Sequence, residues 1–304
     1  MHQKTLYPIH DLNNRLIVPA GTELTKKFMD KLCAKNHEQY EVSPLMEHGS
    51  IRKDMLGQFA IAPYDMIFAG DDRISSALEV MEQIRLPGPL FECLDFFREN
   101  DFHTYRHMLI ISALSALILQ NFPSKYIAKK EDILLQIGPT HDIGKITTPR
   151  DILLKKTPLT QSELDMLKHH AVAGYVLLSY YYKKHTILAP MIARDHHERR
   201  DGSGYPRRVK QQNLVTEITT ICDIYDALVA KRPYRPISYD NRTALEELTW
   251  MAQRGEIGME CVRILISFNR RKRMRPEECI VSLERRGTPP EKNVYGKLAQ
   301  KSNA

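Results

Sequence analysis

The pentapeptide His141-Asp142-Ile143-Gly144-Lys145 follows a run of apolar residues at positions 133–137. Neighbouring side chains on a helix point about 100° apart. A histidine and a carboxylate at one helix end can therefore approach the same metal cluster, and the carboxylate has two oxygens with which to bridge two ions. The plainer interpretation is a capped helix start that happens to contain a histidine, and the surrounding residues decide between the two.

Histidines are concentrated around this pentapeptide. The chain has 12 of them, and most lie between residues 103 and 197. His103 and His107 are four residues apart, so on a helix their imidazoles share one face. Such a pair is by itself more often a surface feature than a pair of ligands. The other groups are Lys168-His169-His170, followed by Gly174, and His196-His197-Glu198.

A loop with two glycines and an acidic residue complete the pattern. The loop is Asp201-Gly202-Ser203-Gly204-Tyr205-Pro206, whose glycines permit positive φ and close backbone approach. Asp223 stands in a segment that is otherwise apolar on one side. Because an unpaired buried carboxylate is costly, Asp223 requires a cation or strong hydrogen-bond donors.

In this order the motifs resemble the HD-GYP family of the HD hydrolase superfamily. The resemblance covers residues 103–235: a first histidine, H-D-x-G-K, K-x-H-x-x-x-G, H-H-E, D-G-x-G-Y-P, D-x-x-D-A-L and Arg232-Pro233-Tyr234-Arg235. It implies an all-α catalytic domain of the HD type. It also implies metal-dependent hydrolysis of cyclic di-GMP to linear pGpG, with further cleavage to GMP left open.

The resemblance assigns roles to individual residues. Asp142 would bridge two ions, Lys145 would lie beside the attacked phosphate, and Tyr205 would act in catalysis and in substrate binding. Arg232 and Arg235 would hold the nucleotide, since their planar forks match phosphate oxygens or a guanine edge. Asp226, one turn after Asp223, is a candidate for substrate binding or for supporting a ligand. The implied metal ligands are His107, His141, Asp142, His170, His196, His197 and Asp223.

The donor set limits the metals. Ligation that is rich in histidine and free of sulfur suits iron, manganese or zinc rather than magnesium or calcium, which prefer oxygen. We expect two transition-metal ions, with iron favoured. Such a pair lowers the pKa of a shared water towards 7 and neutralises charge on a phosphodiester under attack. A third ion is left open, because some family members have a glutamate where this chain has His103.

Other departures from the family pattern leave substrate and partners open. Ile110 and the Thr216-Glu217 pair stand where arginines are common, and Arg207-Arg208-Val209-Lys210 replaces a Leu-Gly-like turn. One alternative is therefore a catalytically weak member that binds cyclic di-GMP or a signalling partner such as a diguanylate cyclase. Another is a hydrolase of a different cyclic dinucleotide.

Several nearby residues have plainer interpretations. We expect His169 to be a surface neighbour of His170, and His185 to be a residue at a helix end rather than a ligand. The aromatic run Tyr180-Tyr181-Tyr182 is expected to pack in the core rather than to stack on guanine.

The fold class predicted for the whole chain is mainly α. From Leu90 onward apolar residues recur at spacings of three and four, as at residues 108–120, 162–183 and 216–230. Residues 1–85 mix strand-like runs with a helix that Thr25 would cap. We therefore predict a small α+β module at residues 1–85, whose role is left open with regulation as one candidate, and an all-α catalytic domain with a basic C-terminal segment at residues 86–304.

Composition limits the setting more than the function. The 304 residues are 42% hydrophobic and include five cysteines without a C-x-x-C pair, which is typical of reduced thiols in the cytoplasm. No signal peptide and no membrane span is expected. The net charge of +7 favours anionic partners, but the basic residues at 270–275 are expected to form a solvated face, so nucleic acid is not favoured.

Overall fold

The structure is a computed structural model of the chain, and it describes residues 3–122, 138–210, 213–231, 237–270 and 275–290. Arg232 and Arg235, which the resemblance assigns to nucleotide binding, lie outside the described residues. So do the apolar run at 133–137 and residues 271–274 of the basic segment.

The N-terminal part contains two small antiparallel sheets and four helices. Strand β1 (Ile9–His10) pairs with β2 (Leu16–Val18), and β3 (Val42–Pro44) pairs with β4 (Arg85–Pro87). As predicted, Thr25 caps the first helix, because its side chain accepts a hydrogen bond from the backbone N–H of Phe28 at 3.1 Å. The helices are α1 (Lys26–Lys35), α2 (Ile51–Phe59), α3 (Tyr64–Ile67) and α4 (Asp71–Gln83), with a short 3-10 helix at Leu45–Glu47.

All the remaining elements of regular structure in the described chain are helices, which confirms the mainly α fold class. Helix α5 begins at Gly88, where Pro89 occupies the first turn and costs no hydrogen bond. Short 3-10 helices cover Ile143–Thr147 and Pro276–Glu278. The helices are α5 (Gly88–Asn100), α6 (Phe102–Gln120), α7 (Arg150–Leu153), α8 (Gln161–Lys168), α9 (His170–Tyr181), α10 (Leu188–Asp195), α11 (Leu214–Val229), α12 (Asn241–Gln253) and α13 (Met259–Phe268).

Helix α6 is the central element of the core. It packs against α2, α4, α5 and α11, and nearly all of its side chains from Thr104 to Leu119 are buried. Among the described helices it alone has the length and hydropathy of a membrane span, but 89% of the qualifying window is buried inside the protein. Its apolar character is therefore accounted for by neighbouring helices.

The predicted helix at residues 162–183 is two helices, α8 and α9, that meet at His169. The periodicity is continuous through this point, so the break was not predicted. It lies where the turn containing Gly144 packs against the start of α9. A Cβ on Gly144 would lie 2.0 Å from the carbonyl oxygen of His170, so only glycine permits the contact that brings the His141-Asp142 turn beside His170.

Two expectations about side chains near α9 have opposite outcomes. The expectation that His169 lies on the surface is wrong, because it is 4% exposed and its ring meets Tyr7 edge to face at 5.4 Å. Tyr180 and Tyr181 are buried in the core, as expected for packing residues. His185 follows α9 and binds Asp30 and Tyr175.

Contacts cross the predicted boundary at residue 85. The pairing of β3 with β4 includes Val42 opposite Pro87, and the buried core is continuous from Ile9 to Cys279. The division into residues 1–85 and 86–304 stays a prediction, and in the structure the two parts share one hydrophobic core.

Candidate metal centre

The structure brings the seven predicted ligands together from five places in the chain. His107 lies on α6, and Asp223 on α11, which packs against it. His141 and Asp142 form the turn before the 3-10 helix, and His170 begins α9. His196 and His197 directly follow α10.

Asp142 is shared by two groups of donor atoms. One group is His107, His141 and Asp142; the other is Asp142, His170, His196 and His197; within each group the donor atoms lie within 4.8 Å of one another. Each oxygen of Asp142 faces its own group. Oδ2 lies 3.5 Å from Nε2 of His107 and 3.6 Å from Nε2 of His141, whereas Oδ1 lies 3.3 Å from Nε2 of His170 and 3.7 Å from Nε2 of His196. This is the arrangement of a carboxylate that bridges two ions.

Asp223 also reaches both groups. Its Oδ1 lies 3.0 Å from Nε2 of His107, and its Oδ2 lies 3.7 Å from Nδ1 of His197. The side chain is 13% exposed, so it borders the more open side of the cluster. The two aspartates thus face the histidines with four carboxylate oxygens.

Hydrogen bonds on the outer side of the rings fix the histidine tautomers. Nδ1 of His170 lies 2.6 Å from the carbonyl oxygen of Leu167, and Nδ1 of His196 lies 2.9 Å from that of Ala193. A carbonyl oxygen only accepts, so Nδ1 carries the hydrogen in both rings. In a neutral imidazole Nε2 then presents a lone pair, and here it points into the cluster, as a metal ligand requires.

One buried atom lacks a partner until a cation is supplied. Oδ1 of Asp142 is buried and makes no hydrogen bond with any described residue. The nearest nitrogen, Nε2 of His170, faces it with a lone pair. Two acceptors opposed in a buried site are unfavourable, and a cation between them removes the conflict. The donor set therefore fits metal ions.

Burial keeps the imidazoles in the state that binds metal. It lowers the pKa of His141 to about 3 and that of His170 to about 4, so both are neutral at pH 7. Asp142 is different, because burial disfavours its carboxylate, but the ammonium of Lys145 outweighs this and holds its pKa well below the usual range. Nζ of Lys145 lies 2.5 Å from Oδ2 of Asp142.

Comparison with known proteins agrees with this geometry. The family profile described as "HD domain" matches residues 130–260, which include six of the seven predicted ligands. Residues 130–260 of the chain therefore match an HD domain. His107 lies outside the matched region and is supplied by α6.

Curated relatives of the HD domain are phosphodiesterases by name. The chain is 36% identical over 152 residues to "Cyclic di-GMP phosphodiesterase" of Thermotoga maritima, which is 48% of this chain and 41% of that protein. It is 38% identical over 137 residues to "Cyclic di-GMP phosphodiesterase response regulator RpfG" of Xanthomonas campestris, covering 44% of this chain and 35% of that protein. With "3'3'-cGAMP-specific phosphodiesterase 2" of Vibrio cholerae the identity is 35% over 161 residues, which is 52% of this chain and 29% of that protein. The chain thus spans less than half the length of these relatives.

Asp226 supports His107 from behind. Its side chain is fully buried, and Oδ2 lies 2.6 Å from Nδ1 of His107. Arg106 binds both carboxylate oxygens, at 3.0 and 2.9 Å, and the hydroxyl of Tyr64 donates to Oδ1. Burial and these donors favour the supporting role for Asp226 over the substrate contact that was the other prediction.

Sequence reasoning missed two of these residues. Arg106 precedes a predicted ligand, but adjacency alone gave no reason to select it. Tyr64 is separated from Asp226 by 162 positions, and no local pattern connects them.

Tyr205 lies against a predicted ligand. Its ring stacks on that of His197 with centroids 4.5 Å apart and planes at 22°, and Nζ of Lys168 lies 5.2 Å from the Tyr205 ring centre. Gly204 permits this approach, since a Cβ there would lie 2.4 Å from the carbonyl oxygen of His197. A catalytic contact of the Tyr205 hydroxyl stays a prediction.

Glu198, the last residue of H-H-E, holds the loop that follows Tyr205. It is 0% exposed, and its carboxylate accepts hydrogen bonds from the backbone N–H groups of Arg207, Arg208 and Val209 at 2.6, 3.1 and 3.1 Å. The substituted turn at residues 207–210 is thus anchored through its backbone, and the Arg207 guanidinium also donates to Asp195 at 3.0 and 2.7 Å.

The remaining departures have structural counterparts. His103 is exposed on α6 and belongs to neither group of donor atoms. Ile110 is completely buried in the core. Glu217 is 3% exposed and receives two 2.6 Å hydrogen bonds from the guanidinium of Arg200, which ties the loop before Tyr205 to α11.

Proposed function

We propose that the chain is a metal-dependent phosphodiesterase that hydrolyses cyclic di-GMP in bacterial second-messenger signalling. The proposed product is linear pGpG, and further cleavage to GMP is left open. The observation that carries the proposal is Asp142, whose two oxygens face two separate histidine groups. The names of the relatives from Thermotoga maritima and Xanthomonas campestris support cyclic di-GMP as the substrate.

The histidines and aspartates hold two transition-metal ions, with iron favoured and manganese or zinc as alternatives. Such a pair supplies Lewis-acid stabilisation of the charge that builds on a phosphodiester during attack by water. The chain's own contribution is a ligand shell that is already in place. The Nδ1 hydrogens of His170 and His196 are committed to backbone carbonyls, so their Nε2 atoms need no reorganisation.

Lys145 and Tyr205 act on the substrate. The Lys145 side chain is 14% exposed, so its ammonium borders both Asp142 and the outside of the cluster. A phosphate placed on the ions would meet that positive charge, which steers and stabilises it. Tyr205 directs its hydroxyl to a phosphate oxygen, and Arg232 and Arg235 bind the nucleotide.

The proposed reaction indicates the cellular compartment and the partners. A second messenger is made and degraded in the same compartment, so the protein acts in the cytoplasm, and diguanylate cyclases or other signalling proteins are its partners. The module at residues 1–85 would carry the regulatory input.

A second substrate, another cyclic dinucleotide, is favoured by one specific observation. The relative from Vibrio cholerae is named for 3'3'-cGAMP and is 35% identical to this chain, close to the 36% of the relative named for cyclic di-GMP. Overall identity therefore does not separate the two substrates.

The test is purification without oxygen, metal analysis, and a timed product assay with cyclic di-GMP and 3'3'-cGAMP in parallel. We expect two ions per chain and faster release of pGpG than of the linear product of 3'3'-cGAMP. Faster cleavage of 3'3'-cGAMP would replace the substrate assignment. A fully loaded protein that binds cyclic di-GMP without cleaving it would replace the enzyme with a binding module.

A further inference from the structure

Tyr64 belongs to the N-terminal segment, yet its side chain reaches the support of a predicted metal ligand. It is the first residue of α3, well before the region that matches the HD domain, and it is 3% exposed. Its hydroxyl donates a hydrogen bond to Oδ1 of Asp226, and Nη1 of Arg106 lies 3.3 Å from the same hydroxyl oxygen. The N-terminal segment therefore touches the centre through a buried polar contact.

The orientation of Asp226 determines the orientation of His107. Oδ2 of Asp226 is the acceptor for Nδ1 of His107 at 2.6 Å, and Nε2 of the same ring faces Asp142 and Asp223. Arg106 contacts both oxygens of Asp226 from one guanidinium nitrogen, Nη2. The Tyr64 hydroxyl adds a separate donor to Oδ1, so it contributes to the orientation of this carboxylate.

We propose that Tyr64 is a positioning residue for His107, and that it acts through Asp226 to aim Nε2 of His107 at the ion shared with His141 and Asp142. The inference rests on the proposed metal-dependent function. His107 belongs to one of the two donor groups, so the effect falls on one ion. The segment before residue 86 is then part of the metal centre and is more than a regulatory attachment to it.

The test is a zinc titration of the metal-stripped, full-length protein in competition with a chromophoric chelator. Removing an outer hydrogen bond to a histidine ligand typically weakens metal binding 10- to 100-fold. Tyr64 is one hydrogen bond further from the ion, since it binds Asp226 and not His107 itself. For Tyr64→Phe we therefore expect the binding of one of the two zinc ions to weaken about 10-fold. The other step, through His170, His196 and His197, should stay as in the wild type.

Tyr105→Phe is the matched control. Tyr105 is 1% exposed and lies on α6, two residues before His107, but its hydroxyl donates to Asp54 at 2.9 Å and not to Asp226. The Tyr105→Phe variant also loses a phenol–carboxylate hydrogen bond, here a partly buried one, so its melting temperature should fall, while both zinc-binding steps stay unchanged.

A second variant tests the route through Asp226. Arg106→Lys removes the guanidinium from the same carboxylate and should weaken the same zinc step. In the double variant with Tyr64→Phe the loss should be smaller than the sum of the two single losses, because both act on one carboxylate. Additive losses would overturn the shared route.

The inference is overturned if Tyr64→Phe binds both ions as Tyr105→Phe does, if both steps weaken equally, or if the wild type binds fewer than two ions. None of these readouts uses hydrolysis. A wild type that binds two zinc ions but cleaves no cyclic dinucleotide would overturn the proposed function and leave this inference standing.

Discussion

The ring of Tyr205 lies on the imidazole of His197, with centroids 4.5 Å apart and an angle of 22° between the planes. The loop residue named by the G-Y-P motif is thus in contact with a predicted ligand. The ring stacks on His197, and the predicted contact with a phosphate belongs to the hydroxyl, so the two parts of the side chain have separate expected roles. Substitutions that remove them separately will tell the roles apart.

Tyr205→Phe keeps the ring and removes the hydroxyl. A hydrogen bond to a charged phosphate contributes about 1.5–3 kcal/mol, so a contact that strengthens in the transition state predicts a rate about 10- to 100-fold lower. Metal content should be unchanged. Tyr205→Ala also removes the stacked ring, and in that variant we expect metal to be lost more readily to a chelator. A Phe variant with the wild-type rate would restrict Tyr205 to packing.

Asp142→Ala should abolish both hydrolysis and binding of the second ion. Each oxygen faces a different histidine group, and among the described residues only Asp142 belongs to both groups of donor atoms. His141→Ala should lower metal content and hydrolysis as well. The measurements are elemental analysis and turnover of cyclic di-GMP, with Asp151→Asn, an exposed carboxylate on α7, as the control. Wild-type turnover by Asp142→Ala would contradict the bridging assignment.

The ligand set could be predicted from the sequence because its members lie in short motifs with fixed internal spacing. Asp142 follows His141 directly, and His197 follows His196, so each motif delivers its side chains together wherever the fold places it. The mainly α fold was accessible for a similar reason, since helical periodicity is local.

Features that depend on contacts between distant segments could not be predicted from the sequence. The burial of His169 depends on Tyr7, which packs on it from the start of the chain. Tyr64 and Arg106 join the centre only because α3 and α6 meet beside Asp226. The break between α8 and α9 lies beside the turn of Gly144, which packs against His170 from a distant part of the chain.

The metal-free protein should lose stability as the pH falls from 7 to 5. In the unfolded chain histidines take up protons near pH 6.5, whereas in the folded chain His141 does so only near pH 3 and His170 near pH 4. The unfolded state therefore binds more protons throughout this pH range. At pH 5 this lowers the free energy of unfolding by about 2 kcal/mol for each of these two residues. Urea unfolding at pH 7 and at pH 5 measures this loss of stability. Equal free energies of unfolding at the two pH values would contradict the burial of neutral imidazoles.

Arg232→Lys and Arg235→Lys should weaken binding of cyclic di-GMP and leave metal content unchanged. A lysine offers a point charge in place of a planar fork, and the loss of a good bidentate pair is about 1–3 kcal/mol. Calorimetric titration of the metal-loaded variants measures this loss. Affinity equal to that of the wild type in both variants would remove these arginines from the nucleotide site.

Glu198→Gln should reduce turnover without removing metal. The buried carboxylate accepts hydrogen bonds from three backbone N–H groups of residues 207–209, whereas an amide has one acceptor oxygen and would turn its NH2 group towards at least one of these donors. Hydrogen bonds to a charged group contribute about 1.5–3 kcal/mol each, so the loop after Tyr205 should loosen and the melting temperature should fall.

Glu79→Gln, at an exposed position on α4, is the control for the change of charge. Because His196 and His197 precede Glu198 and are held by other contacts, both ions should remain bound. A Gln variant that loses metal but keeps the loop ordered would instead place Glu198 in the support of the ligands.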